Sequence, residues 1–242
     1  LAQPVVEGDL VLIRSADSRI FALDAKDGRR RWVYQRSAAS LAVRGYAGLV
    51  VANGLAYAGF SGGKLVAIAL SNGGLRWEAT VALPKGTNEL DRVTDVIGLP
   101  WISGREVCAV AYQGRVACFE AANGDPIWGR EISSISGLSG DLANVYVSDD
   151  KGAVHALSRS SGTSVWRQDR LFRRVLTTPV AIGKQVAVGD VQGFVHLMGS
   201  GNGAFEGRSP TDGSPITAPL IPMGNTLIAQ TRNGNLVAFS IQ

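Results

Sequence analysis

The chain is poor in the usual equipment of catalysis. Its 242 residues include only two histidines and two cysteines. No Ser/His/Asp constellation is visible, and a metal site built on two cysteines with no His nearby is disfavoured. No apolar run approaches the roughly 18–20 residues that a membrane-spanning helix needs. Charged residues make up only 18% of the chain, and the formal net charge of +4 is mild. The basic residues are scattered except at 29–31 and at Arg170, Arg173 and Arg174, clusters that read as solvated faces. A nucleic-acid surface would need a basic stripe interleaved with exposed aromatics, and none is seen. An initiating Met and a signal sequence are also missing: Leu1 lies directly upstream of a repeat, as in a fragment or processed product whose targeting segment has gone.

What the chain has in quantity is apolar residues, 45% of the total, and 30 glycines, many in Asn-Gly, Asp-Gly and Gln-Gly pairs. That composition is globular rather than disordered and suits an all-β chain with many tight turns. The stretch at 4–32, PVVEGDLVLIRSADSRIFALDAKDGRRRW, is restated at 100–128 and 179–205. Weaker copies lie at 50–77 and 138–166, and a last one starts at Pro219. Self-similarity near forty residues signals a repeat array. Residues 10–13 are apolar at every position, which predicts a strand buried on both faces, as in a blade sandwiched between two others. Three apolar strands, a Gly turn and an outer strand carrying Trp make one four-stranded antiparallel propeller blade. The expected fold is therefore all-β: a single β-propeller domain over 1–242, with about five complete repeats and a partial sixth. The sixth stops at Gln242 without a closing aromatic strand, so the ring is expected to continue upstream of Leu1 by about two blades.

The connections between blades carry the remaining signals. Residues 37–49, SAASLAVRGYAGL, read first as the innermost strand of the next blade with a turn, and second as an apolar-plus-Arg patch of the kind that anchors a partner. The longest connection contains 83–99, LPKGTNELDRVTDVIGL, where Asn88 is expected to cap a short helical turn with Leu90 and Val93 on one side and Asp91 and Asp95 nearby. Long loops on repeat proteins tend to carry binding, though many are decoration. Cys108 and Cys118 fall on consecutive strands with position 113 midway, so a three-residue turn at 112–114 sets them opposite each other. A cross-strand disulfide is then conceivable, and two buried thiols is the slightly favoured alternative. His155 and His196 occupy equivalent repeat positions in different blades and read as ordinary strand residues.

The repeat, with copies IFALDAKDGRRRW, LVAIALSNGGLRW, VACFEAANGDPIW and VHALSRSSGTSVW, resembles the pyrroloquinoline-quinone-like repeat of β-propellers. That likeness specifies fold strongly and function weakly. The connections SLAVRG, NELDRVTDV and LFRRVLTTPV, in that order, resemble those of the BamB family of outer-membrane assembly factors, over essentially the whole chain. The resemblance implies the C-terminal part of an eight-bladed lipoprotein. It would be anchored on the periplasmic face of the outer membrane by an N-terminal lipid that this chain does not carry.

The resemblance further implies a non-catalytic scaffold of the β-barrel assembly (BAM) complex, without cofactor or metal. It would bind the POTRA domains of BamA and aid outer-membrane protein folding, with unfolded substrates as a second class of partner through a strand edge. Carried over by position, the partner-binding residues are Leu41, Val43 (where the family often has Leu) and Arg44 on one connection and Asp95 on the next, with Asp91 and Arg92 close by. Ile97 stands where a further carboxylate is expected, which weakens the acidic patch. A generic propeller scaffold or sensor would have no reason to carry both connections. A quinoprotein dehydrogenase would want adjacent cysteines and a carboxylate-rich calcium site, and neither is visible.

Overall fold

A computed structural model describes residues 2–36, 41 and 48–241. The described residues form five four-stranded sheets and one three-stranded sheet, all antiparallel, in two compact units, 1–133 and 134–242. The first unit holds three sheets: β1 (Val5–Glu7), β2 (Leu10–Arg14), β3 (Arg19–Asp24) and β4 (Arg30–Gln35); β5 (Leu49–Ala52), β6 (Leu55–Phe60), β7 (Lys64–Ala69) and β8 (Leu75–Thr80); β9 (Val96–Ser103), β10 (Glu106–Ala111), β11 (Val116–Glu120) and β12 (Pro126–Arg130). The second unit holds β13 (Leu138–Gly140), β14 (Asn144–Ser148), β15 (Val154–Ser158) and β16 (Ser164–Gln168); β17 (Val180–Ile182), β18 (Gln185–Gly189), β19 (Phe194–Gly199) and β20 (Phe205–Pro210); and the three-stranded β21 (Ile221–Met223), β22 (Thr226–Gln230) and β23 (Leu236–Ser240). Each sheet is a propeller blade whose strands pair in chain order, and the partial last repeat is the three-stranded one.

Burial explains the strand sequences. In β7, Leu65 and Ala67 pack toward the third sheet while Val66 and Ile68 pack toward the first. A strand apolar at every position is what two buried faces require. The expectation that residues 10–13 behave the same way is only half met: Leu12 is fully buried, whereas Val11 and Ile13 are partly exposed. Within its unit, the first sheet is packed on its Leu12, Ile20 and Ala22 face.

One contact recurs between blades. The Trp32 indole lies against Gly73 in the outermost turn of the next blade, and its Nε1 donates to the Leu70 carbonyl at 2.7 Å. Trp77 repeats this on Gly124 and the Ala121 carbonyl at 2.9 Å, and Trp166 on Gly203 and the Ser200 carbonyl at 2.8 Å. Gly73 and Gly124 have φ of +72° and +79°, and a Cβ on either would come within 2.6–2.7 Å of the indole ring. The glycine serves both the left-handed turn and the close approach of the ring.

In the third blade, Cys108 and Cys118 are register partners with Cα atoms 4.0 Å apart, and they form a disulfide. This overturns the slightly favoured reading of two buried thiols. The register places them opposite, and the short Cα separation marks the narrow, non-hydrogen-bonded type of pair that a bridge can span. The hairpin closes around 112–114, with the Ala111 amide donating to the Arg115 carbonyl at 3.0 Å, and Gln113 takes the left-handed position at φ +49°. The inner strand of this blade begins at Val96, earlier than the repeat boundary at Pro100 suggests. The reason is a bulge: the register shifts between Cys108↔Trp101 and Val110↔Ile97, leaving Leu99 exposed.

The two histidines lie on equivalent strands of different blades, as expected, and each also pairs with a turn aspartate. His155 Nε2 lies 2.9 Å from Asp149 Oδ2, and His196 Nε2 lies 2.9 Å from Asp190 Oδ2, each pair spanning a hairpin turn. Burial works to raise the Asp190 carboxyl, but hydrogen bonds from His196, the Phe194 amide and Arg174 hold it down at about 2.

Two stability outcomes follow. Trp77→Ala is expected to cost about 3–5 kcal/mol in urea unfolding, whereas Trp77→Phe, which keeps most of the ring contact, should cost about 1–2 kcal/mol. Gly124→Ala should cost about 2 kcal/mol or more, through left-handed strain and overlap with the indole. A Trp77→Ala protein as stable as its parent would contradict this role for the indole–glycine contact. For the disulfide, reduction should lower stability by about 2–3 kcal/mol, as expected for closure of a short loop. It would be read as a dithiothreitol-dependent drop in the urea midpoint. A thiol reagent should find no reactive cysteine before reduction.

Candidate functional site

Four antiparallel strands alternate direction, so in each blade the turn between the second and third strands emerges at the same end as the connection leaving the fourth. The connection after β8 therefore runs past the β6–β7 and β10–β11 turns. Its root is tied down at once: the Val81 and Ala82 amides donate to the Gly63 carbonyl at 2.8 and 3.3 Å. Its far end is fixed by a bridge between Ser61 and Asp95 and by the Tyr112 amide donating to the Asp95 carbonyl at 2.9 Å.

Between these points the chain forms a capped turn. Asn88 Oδ1 accepts from the Asp91 amide at 2.8 Å, and Asn88 Nδ2 donates to Asp91 Oδ2 at 2.7 Å. Asn88 thus caps a single short turn, as expected, and the turn does not continue. Leu90 and Val93 accordingly do not share a face: Leu90 is 70% exposed and Val93 is buried. Gln113 supports the turn from below. In the amide orientation that satisfies its neighbours, its side-chain nitrogen donates to the carbonyls of Leu90, Asp91 and Val93.

The partner residues expected from the sequence are distributed as follows. Leu41, Arg92 and Asp95 line one cavity of about 290 Å³, together with Gly62, Pro84, Glu89, Val93 and Thr94. Leu41 from the earlier connection and the acidic turn from the later one therefore meet across a single opening. Leu41 is half-exposed and Arg92 exposed, while Asp95 is only 5% exposed and forms part of the wall. Asp91 is exposed and held by Asn88 outside the lining. Val43 and Arg44 lie outside the described residues. Ile97 is buried in β9, so its side chain belongs to the packing of the blade rather than to this surface.

Sequence reasoning missed two contributors. Thr94 lines the cavity, and its Oγ1 is buried with no hydrogen-bond partner, a cost that an incoming donor or acceptor would remove. Glu89 adds a carboxylate to the rim. Glu89, Asp91 and Asp95 outnumber Arg92 in this segment, and an apolar side chain stands opposite. Such an arrangement can seat an apolar anchor and select for positive charge around it. Among the described residues no group of three or more His, Cys, Asp or Glu is placed to hold a metal ion.

The family model described as outer membrane protein assembly factor BamB matches residues 1–168. A protein of that description from Bordetella pertussis is 44% identical over 235 residues, covering 97% of this chain. The chain spans 61% of that relative's length. The crystal structure of BamB from Moraxella catarrhalis superposes with a TM-score of 0.91 at 30% identity, covering 98% of this chain and 71% of that one. Quinohemoprotein alcohol dehydrogenase from Comamonas testosteroni also superposes, with a TM-score of 0.70 over 98% of this chain and 45% of that one; at 15% identity it shares the fold alone. By the family model and by these likenesses in sequence and structure, the chain belongs to the outer membrane protein assembly factor BamB family.

Proposed function

We propose that this chain is a non-catalytic scaffold of the outer-membrane β-barrel assembly complex. It works on the periplasmic face of the outer membrane, where the full-length protein is lipid-anchored, and docks the POTRA domains of BamA. The observation that carries this reading is the meeting of Leu41 with the Glu89–Asp95 turn at one cavity, in a chain of this family. The later connection is rooted in blade turns by backbone hydrogen bonds, so a partner meets a turn there that is already formed. Little ordering cost is then charged against binding.

The disulfide in the third blade supports the compartment. Bridges of this kind persist in oxidising spaces such as the bacterial periplasm and are rare in the cytosol. The buried, packed blades support a holding role. No side-chain cluster of the described residues suggests a chemical step.

The test is binding of immobilised POTRA domains from the same organism's BamA. The parent protein should bind, and Leu41→Asp and Arg44→Glu should each lose binding while leaving stability within about 0.5 kcal/mol, as surface substitutions do. Equal binding by parent and both variants would place the docking site elsewhere. Binding by none would remove this partner.

A further inference from the structure

A second surface, in the 134–242 unit, is unused by the proposed function. The connection after β16 runs through residues 169–178 and contains the basic cluster Arg170, Arg173 and Arg174 that reads as one solvated face in the sequence. The structure divides it. Arg174 turns inward, its Nη1 donating to Asp190 Oδ2 at 2.8 Å, and its carbonyl accepts from the Val191 amide at 3.1 Å. Arg170 and Arg173 stay exposed, and the turn between β14 and β15 brings exposed Lys151 alongside, with the Arg173 amide donating to the Lys151 carbonyl at 3.0 Å. No carboxylate among the described residues pairs with Lys151, Arg170 or Arg173.

The nearby acids are largely spoken for. Asp149 serves His155 and the backbone, Asp169 pairs with Arg167, and Asp190 holds His196 and Arg174. Asp150 remains exposed beside Lys151, leaving a surplus of positive charge.

Two large apolar side chains stand among these cations. Phe172 is 60% exposed and Val175 is 50% exposed, while Leu171 and Leu176 next to them are buried and pin the segment. The Arg173 guanidinium lies over the Phe172 ring at 5.2 Å. The backbone that presents them is strained: Arg173 and Val175 have φ of +62° and +48°. For a β-branched residue such as Val175 that region is a marked outlier. Strain of this kind persists where surrounding bonds enforce it, and it gathers at sites that act on something else. Here the amides of Phe172, Arg173 and Arg174 are all hydrogen-bonded, so the knuckle is held in place rather than loose.

We propose that the 170–175 knuckle, with Lys151, is a docking surface for an acidic polypeptide segment carrying an apolar side chain. Charge complementarity selects the segment, and Phe172 and Val175 bury its apolar residue. A lipid surface is the less favoured occupant, because stable adsorption to anionic bilayers calls for about 4–8 clustered cations and three are available here. This surface does not involve Leu41 or the 89–95 turn, so it stands or falls separately from the POTRA-docking reading.

The probe is a fluorescein-labelled peptide, Glu-Asp-Phe-Leu-Asp-Glu, with Lys-Lys-Phe-Leu-Lys-Lys as its charge-reversed counterpart. Anisotropy is followed with the parent protein, with Arg170→Glu/Arg173→Glu and with Phe172→Ser. Vesicles containing phosphatidylglycerol form a parallel arm. The acidic peptide should bind and its counterpart should not. The double reversal should weaken binding by about tenfold or more, and Phe172→Ser by several-fold. Gly152→Ala is a second probe that keeps every cation. A Cβ there would collide with the Leu171 carbonyl oxygen and displace the knuckle, so binding should fall. Equal binding by parent and double variant, or no binding of the acidic peptide, would overturn the proposal. Vesicle binding lost on double reversal, without peptide binding, would assign the surface to lipid instead.

Discussion

The tryptophan–glycine contact between neighbouring blades is the constraint on which the rest depends. A four-stranded blade buries both faces only against other blades, and apolar burial by itself is non-directional. The indole adds direction. Its ring fits only where the next turn has no Cβ, and its N–H reaches a carbonyl of that same turn. Three such contacts, two in the first unit and one in the second, fix which residues of adjacent blades face one another. The small residues between them, such as Ala67, Ala109 and Ala117, let the sheets approach closely behind the ring.

That fixed spacing is what turns loops into a surface. The acidic connection is not self-supporting: its shape comes from Gly63 at one end, Ser61 and Tyr112 at the other, and Gln113 beneath. These supports belong to two different blades, so the cavity shared with Leu41 exists only if the blades are held in register. The unsatisfied hydroxyl of Thr94 and the exposed carboxylate of Glu89 at the rim are departures of the kind a folded chain tolerates where packing is not the only demand. The same logic appears in the second unit. There Arg174, a member of the basic run, is spent on anchoring a strained turn to Asp190 so that its neighbours can be presented.

Much of this was legible in the sequence, and the exceptions have physical reasons. A Gly followed by a closing Trp or Phe recurs in five repeats at a spacing that varies around forty to fifty residues, so the five complete blades and the partial sixth repeat of this chain could be read directly. The opposition of Cys108 and Cys118 followed from counting to position 113, but sequence cannot say whether a facing pair is the narrow or the wide type. The inner strand of the third blade began early because a bulge hides its first residues from the repeat pattern. Asn88 was readable as a cap because its side chain acts locally, whereas the fate of Leu90 and Val93 depended on whether the turn continued. The histidine pairs were missed because Asp149 and Asp190 look like turn residues. Their signal was the repeated spacing DDKGAVH and DVQGFVH, which sets Asp and His across a hairpin. The basic run at 170–174 looked uniform because charge alone does not reveal which guanidinium meets a buried carboxylate.

The central claim is that two connections of neighbouring blades act together as one docking surface. Hydrogen–deuterium exchange of the protein with and without the POTRA domains of BamA tests it most directly. The account predicts added protection in both the 36–48 and 81–95 connections, at equal partner concentration, with the strands beneath unchanged. Protection confined to one connection, or appearing only elsewhere, would contradict it.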